Sequence, residues 1–154
     1  MAAKQEIENN PGIRPMEPED ITAIFDIDHE ITRTERAMTY DDLVTAGVGG
    51  ELALSFVAEV DSHVVGFILV RHTYAEDPSG GVTEAACIRN IGVAPAYRRR
   101  GIATQLVESL IKDCQSKGLK ILMLMINEHD NQLKDFFQHL EFRRGELVSY
   151  TKLL

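Results

Sequence analysis

Cations are scarce in this chain: 16 Lys and Arg stand against 24 Asp and Glu over 154 residues, leaving a net charge of −8. A general nucleic-acid binder carries a broad basic face, so that class is disfavoured. Cysteine is also sparse. Cys87 and Cys114 are the whole complement, one in a predicted strand and one in a predicted helix stripe, and they read as small buried hydrophobes rather than a disulfide framework or nucleophiles. No apolar run is long enough to span a bilayer and no leader peptide is recognisable, which leaves a soluble, cytoplasmic protein with no membrane partner as the expectation. The five histidines, His29, His63, His72, His129 and His139, lack zinc-ligand spacing with cysteine and read as surface or loop residues, so no metal site is expected. Repeats, linkers and low-complexity tracts are missing too. With 44% hydrophobic residues the length suits one domain around one core and leaves no room for a second.

The run Arg98, Arg99, Arg100, Gly101, Ile102, Ala103 stands out against this acidic background. It follows an apolar strand closed by Ala94 and Pro95 and opens a helix whose Ile102, Leu106, Leu110 and Cys114 recur at i+4. Ala103, Val107 and Ile111 widen that stripe into a core-facing side. The first turn of a helix has N–H groups without partners and a positive dipole end, so anionic oxygens are stabilised there. Gly101 leaves their approach open, Ala103 keeps the mouth small, and arginines add forked donors suited to phosphate. The loop lacks the Gly-Lys-Ser/Thr ending of a nucleotide-triphosphate loop. Gly47, Val48, Gly49, Gly50 does not complete a dinucleotide fingerprint and reads as a loop.

Periodicity and turn chemistry place the other elements. Residues 1–12 are polar and expected to be flexible, with the domain covering 13–154. A helix is predicted from Pro18 or Glu19 to Ile31, and a short one around Tyr40 to Ala46. Strands at Leu54–Val60 and Val64–Tyr74 are joined as a hairpin through Asp61, Ser62 and His63. Glu76–Gly81 is a loop, Thr83–Val93 a strand, Ile102–Lys117 a helix stopped by Gly118, and Lys120–Ile126 a strand. Gln132–Leu140 reads as a helix and Glu146–Lys152 as a last strand. Asp26, Ile27, Asp28 is similar to a phosphatase nucleophile motif. However, Ile21, Ile24, Phe25, Asp28 and Ile31 follow a helical stripe, which makes Asp26 and Glu30 a solvated acidic face.

Arg98-x-x-Gly101-x-Ala103, after a strand ending Ile91, Gly92, Val93, Ala94, Pro95, resembles the acyl-CoA signature of the GNAT N-acetyltransferases. The stretch Ile13 to Ile21 resembles the opening strand and first helix of that family, and Phe136, Phe137, Leu140, Glu141, Phe142 its aromatic helix and following phenylalanine. The resemblance implies an α/β single domain with a mixed, mostly antiparallel central sheet flanked by helices. It also implies acetyl-CoA as co-substrate, held by Ile91, Gly92 and Val93 along its pantetheine arm and by Arg98, Arg99, Arg100, Gly101, Ile102, Ala103 and Thr104 at its pyrophosphate. Phe137 would line the thiol end.

A primary amine of a small molecule or peptide would attack the thioester directly, with a backbone N–H near Val93 stabilising the oxyanion. Glu30, Cys87 and Arg89 are the acceptor-side candidates. Arg89 would favour an acceptor with a carboxylate near its amine. The family's usual acid and base have no counterpart here: Phe137 occupies the tyrosine position, and Cys87, Arg89 and Met125 stand where relatives carry a base. No catalytic residue is therefore assigned. An acyl-CoA-binding sensor with little transfer is the alternative, and the last strand's edge suggests a homodimer.

Overall fold

A computed structural model describes residues 11–32 and 54–154. The elements are β1 (Gly12–Pro15), a 3-10 turn (Pro18–Asp20), α1 (Ile21–Thr32), β2 (Phe56–Val60), β3 (His63–Glu76), β4 (Val82–Val93), a second 3-10 turn (Pro95–Tyr97), α2 (Ile102–Ser116), β5 (Ile121–Leu124) and α3 (Asn131–His139). The strands form one sheet in the order β1-β2-β3-β4-β5. All pairs are antiparallel except β4 with β5, which is parallel. The expected α/β architecture with a mixed, mostly antiparallel sheet is what forms.

Strand alternation divides the apolar residues between two layers. Ala58, Ile68, Val70, Ala86 and Ile88 pack on one face against Ile102, Leu106, Val107, Leu110 and Cys114 of α2 and Phe137 of α3. Val57, Phe67 and Leu69 pack on the other face with Met16 and with Ile24 and Ile27 of α1. Asp61 and Ser62, at φ 50° and 63°, make the two-residue turn between β2 and β3, the left-handed pair that matches strand twist. Gly118, at φ 75°, ends α2, where the Leu119 N–H reaches the Cys114 carbonyl at 2.9 Å, as a glycine C-cap should.

β1 is pinned by charge. The Arg14 guanidinium donates to both oxygens of Asp20 at 2.7 Å and to Glu59 Oε1 at 2.6 Å. Burial pushes the Asp20 carboxyl up, but the hydrogen bonds from Arg14 and from the Glu17 N–H outweigh it and hold the group below its ordinary range. The same contacts raise Arg14 above its own.

α1 settles the reading of Asp26, Ile27, Asp28, because the segment is helical, with Ile24 and Ile27 buried and Asp26 and Glu30 exposed. Other expectations need correcting. Residues 146–152 form no strand. Leu147, Tyr150 and Leu153 are more than 90% exposed, because strand propensity is realised only when an edge is paired. β5 stops at Leu124 rather than Ile126. His72 is neither a surface nor a loop residue: it sits in β3, edge-on to the Tyr74 ring at 5.2 Å, with a buried Nε2 3.8 Å from Glu84. The helix at Tyr40–Ala46, the loop at Gly47–Gly50 and most of residues 1–12 lie outside the described residues.

Candidate active site

The site is built on the second half of β4. β5 pairs with β4 only from Ala85 to Ile88, opposite Ile121 to Leu124. β4 then continues alone on that side for five residues, to Val93. The Ala94 N–H donates to the Val65 carbonyl at 2.8 Å, toward β3. Successive N–H groups of an extended chain point to opposite sides, so those of Val93 and Ile91 face the edge that β5 has left. An extended diamide can pair with such an edge.

A β-bulge marks the change. Leu69 pairs with Asn90 and Val70 with Ile88, so Arg89 is the extra residue. The bulge shifts side-chain parity. Ile88 before it and Ile91 and Val93 after it all pack toward the α2 side, while Asn90, opposite Leu69, and Gly92, opposite Phe67, take the α1 side. A Cβ on Gly92 would stand 2.8 Å from the buried Phe67 ring and 3.0 Å from Ile31 Cδ1. Glycine there lets α1 close over the strand end, and brings Glu30, next to Ile31, to the same end of the sheet.

Past Val93 the chain makes its 3-10 turn and enters the basic loop. Arg99 and Gly101 both adopt left-handed backbone, at φ 64° and 74°, and this double reversal swings the chain directly into α2. Arg98, Arg99, Arg100 and Gly101 are exposed, and among the described residues no side chain caps the helix. Its first N–H groups, from Ile102 to Thr104, are left for an external acceptor. Arg100 stacks over Tyr97 at 5.1 Å, which orients one guanidinium at the loop. Among the described residues, none of the three arginines is in a salt bridge. Ile102 contributes only its backbone, since its side chain is 2% exposed in the core.

Other candidates lie apart from the loop. Phe137 is 2% exposed, edge-on to Phe136 at 4.9 Å and Phe142 at 5.1 Å, so its ring belongs to the core and has no proton to give. Cys87 is half-buried on β4 opposite Arg71. Glu84 pairs with Tyr74, on the opposite face from Cys87. Met125 is exposed just past β5. Cys114 lies in the core, where burial pushes its thiol up and keeps it protonated. Arg71 and Asn90 escaped the sequence reading. Asn90 was hidden by the bulge, whereas Arg71 was visible as a cation ending the apolar run Val64 to Val70.

A mixed sheet whose one parallel pair opens beside a basic, uncapped helix start defines an α/β acyltransferase fold. The profile of the Acetyltransferase (GNAT) family matches residues 19–142, and the chain belongs to that family. It is 30% identical over 93 residues to an uncharacterized N-acetyltransferase of Methanocaldococcus jannaschii, a match covering 60% of this chain and 40% of that protein. It is 27% identical over 101 residues to an acetyltransferase of Pectobacterium atrosepticum, covering 66% and 65% of the two chains. Solved structures share the fold. The aminoglycoside N-acetyltransferase AAC(6')-Iy in complex with CoA superposes with a TM-score of 0.76 at 20% identity, covering 94% of this chain and 95% of that one. A ribosomal-protein-alanine N-acetyltransferase from Brucella melitensis gives 0.71 at 17% identity, covering 94% and 99%.

Proposed function

We propose that this protein transfers an acetyl group from acetyl-CoA to a primary amine by direct attack in a ternary complex. The observation that carries the reading is the half-paired β4, which runs past the end of β5 straight into the arginine turn. Ile91 and Val93 offer backbone groups to the pantetheine amides on the open edge. Arg98, Arg99, Arg100 and the free N–H groups at Ile102, Ala103 and Thr104 offer donors to the pyrophosphate. The residues fit that ligand in order, since an extended amide chain ending in a diphosphate needs a strand edge followed by an anion cradle.

The amine nitrogen forms its bond to the thioester carbonyl while an outward N–H of the β4 edge stabilises the oxyanion. The C–S bond then breaks, the thiolate leaves, and the nitrogen gives up its proton to water. Positioning and this single donor supply most of the acceleration. No side chain of this chain is assigned as base or acid. Coenzyme A thiolate is a tolerable leaving group, so the lack of a hydroxyl at Phe137 does not abolish turnover.

The acceptor is an amine, and the relatives' acceptors do not choose it: one structural neighbour is an aminoglycoside N-acetyltransferase and another a ribosomal-protein-alanine N-acetyltransferase. A homodimer belongs to the same reading. The outer edge of β5 is unpaired among the described residues, and the exposed Leu147, Val148 and Tyr150 lie in the segment with strand pattern. Such an edge and such a segment, on two copies, complete each other. Light scattering of the whole protein should show a dimer.

One observation favours a second reading, an acyl-CoA sensor: the tyrosine position is a buried phenylalanine. Release of free thiol from acetyl-CoA across an amine panel separates the two. Amine-dependent release supports the transferase, and tight CoA binding without it supports the sensor.

A further inference from the structure

Arg71 stands where a structural arginine has nothing to do. It is on β3 opposite Cys87, and strand alternation puts it on the face that carries Phe67 and Leu69, the α1 side. Its Nε is buried and has no hydrogen-bond partner among the described residues. A buried guanidinium donor without an acceptor destabilises the fold, because nothing offsets the loss of its hydration. That cost is tolerated at a position where a ligand supplies the acceptor.

The surroundings name the ligand's charge. Along the same stretch, β4 contributes Cys87 and then the bulge with exposed Arg89 and half-buried Asn90. Neither Arg71 nor Arg89 is in a salt bridge among the described residues. Glu84 lies with His72 on the other face, whereas on the α1 side Glu30 is exposed and Asp28 is buried with a partner of its own. Two guanidinium groups outside any ion pair among the described residues repel a polycationic acceptor and attract an anion.

We infer that Arg71, with Arg89 beside it, forms a subsite for the carboxylate of a small amine acceptor. This deepens the acetyl-transfer reading and rests on it. Ile91, whose N–H faces the open edge, is four residues from Cys87, or about 13 Å along an extended strand. The long Arg71 side chain spans part of that interval. An amine at Ile91 and a carboxylate at Arg71 are therefore separated by several bonds, as in an ω-amino acid. The forked guanidinium suits a planar carboxylate, whereas a lysine would meet it only as a point charge.

Thiol release from acetyl-CoA, measured with ω-amino acids of increasing length and with their carboxamides, tests the subsite. The free acids should show a KM lower than their amides by roughly 10- to 100-fold, the range for hydrogen bonds to charged groups. Arg71→Gln and Arg71→Ala should erase that preference while leaving the acetyl-CoA KM and kcat within about 3-fold, and Arg71→Lys should retain part of it. Equal use of acids and amides by the unaltered protein would overturn the inference. So would a preference that survives Arg71→Gln. If no amine releases thiol, the transferase reading fails, and the subsite is judged by calorimetry of the CoA-loaded protein with N-acetylated ω-amino acids and their amides. Carboxylate-dependent binding that Arg71→Gln removes would keep it, and binding indifferent to the carboxylate would end it.

Discussion

The two halves of β4 belong to one strand and do opposite work. From Val82 to Ile88 the strand lies inside the sheet, with β3 on one side and β5 on the other from Ala85 onward, and its Ala85, Ala86 and Ile88 are buried. From Arg89 to Val93 it keeps β3 but loses β5. The backbone groups that hold the sheet together in the first half are unpaired in the second, and the arginine turn follows at once. One extra residue at Arg89 and an early stop at Leu124 leave the second half of the strand with an open edge.

The comparison can be broken from either half. Ile88→Ala removes a core side chain and should lower stability by about 2–5 kcal/mol, read as a fall in the denaturation midpoint, with the acetyl-CoA KM of the folded protein unchanged. Replacing Arg98 and Arg100 together by alanine should do the reverse, raising that KM by roughly 100-fold, about 2.7 kcal/mol, while the denaturation midpoint stays put. A site remote from both halves sharpens the contrast. Asp20→Asn should lose about 2 kcal/mol, the scale of hydrogen bonds to a charged group. Because the Asp20 carboxyl is held below its ordinary range, its stabilisation is complete above the unfolded carboxylate pKa and fades as pH falls through the lower folded value. The gap between Asp20→Asn and the unaltered protein, followed by denaturant melts against pH, should therefore close in acid. The smallest effect is expected from Phe137→Tyr. A hydroxyl among Phe136 and Phe142 costs about 1 kcal/mol of stability and should leave kcat within about 3-fold, since the thiolate departs without a dedicated acid.

What could be read from the residues divides along the same line. The arginine turn and α2 were legible because their signals are local: Gly101 at a positive φ, the i+4 stripe of Ile102, Leu106, Leu110 and Cys114, and Gly118 at the stop. The hairpin at Asp61 and Ser62 was legible for the same reason. The bulge was not, since Arg89 and Asn90 carry no glycine or proline to announce it, and it is defined only by the register against Leu69 and Val70. That single shift hid Asn90. The segment at Glu146–Lys152 has a strand's pattern but pairs with no edge among the described residues, and pattern without a partner does not make a strand. Arg71 was overlooked because its meaning depends on its neighbours across the sheet, and above all on the acceptor its buried Nε lacks among the described residues.

The central claim is that the unpaired half of β4, with the turn after it, is the donor-binding edge. Backbone amide resonances of the whole protein, followed by NMR during titration with acetyl-CoA, test it directly. The amides of Ile91 and Val93 and of Ile102 to Thr104 should shift and become protected from exchange, while those of Ala85 to Ile88 stay where they are. Binding that left Ile91 and Val93 untouched, or moved both halves of the strand alike, would contradict the account.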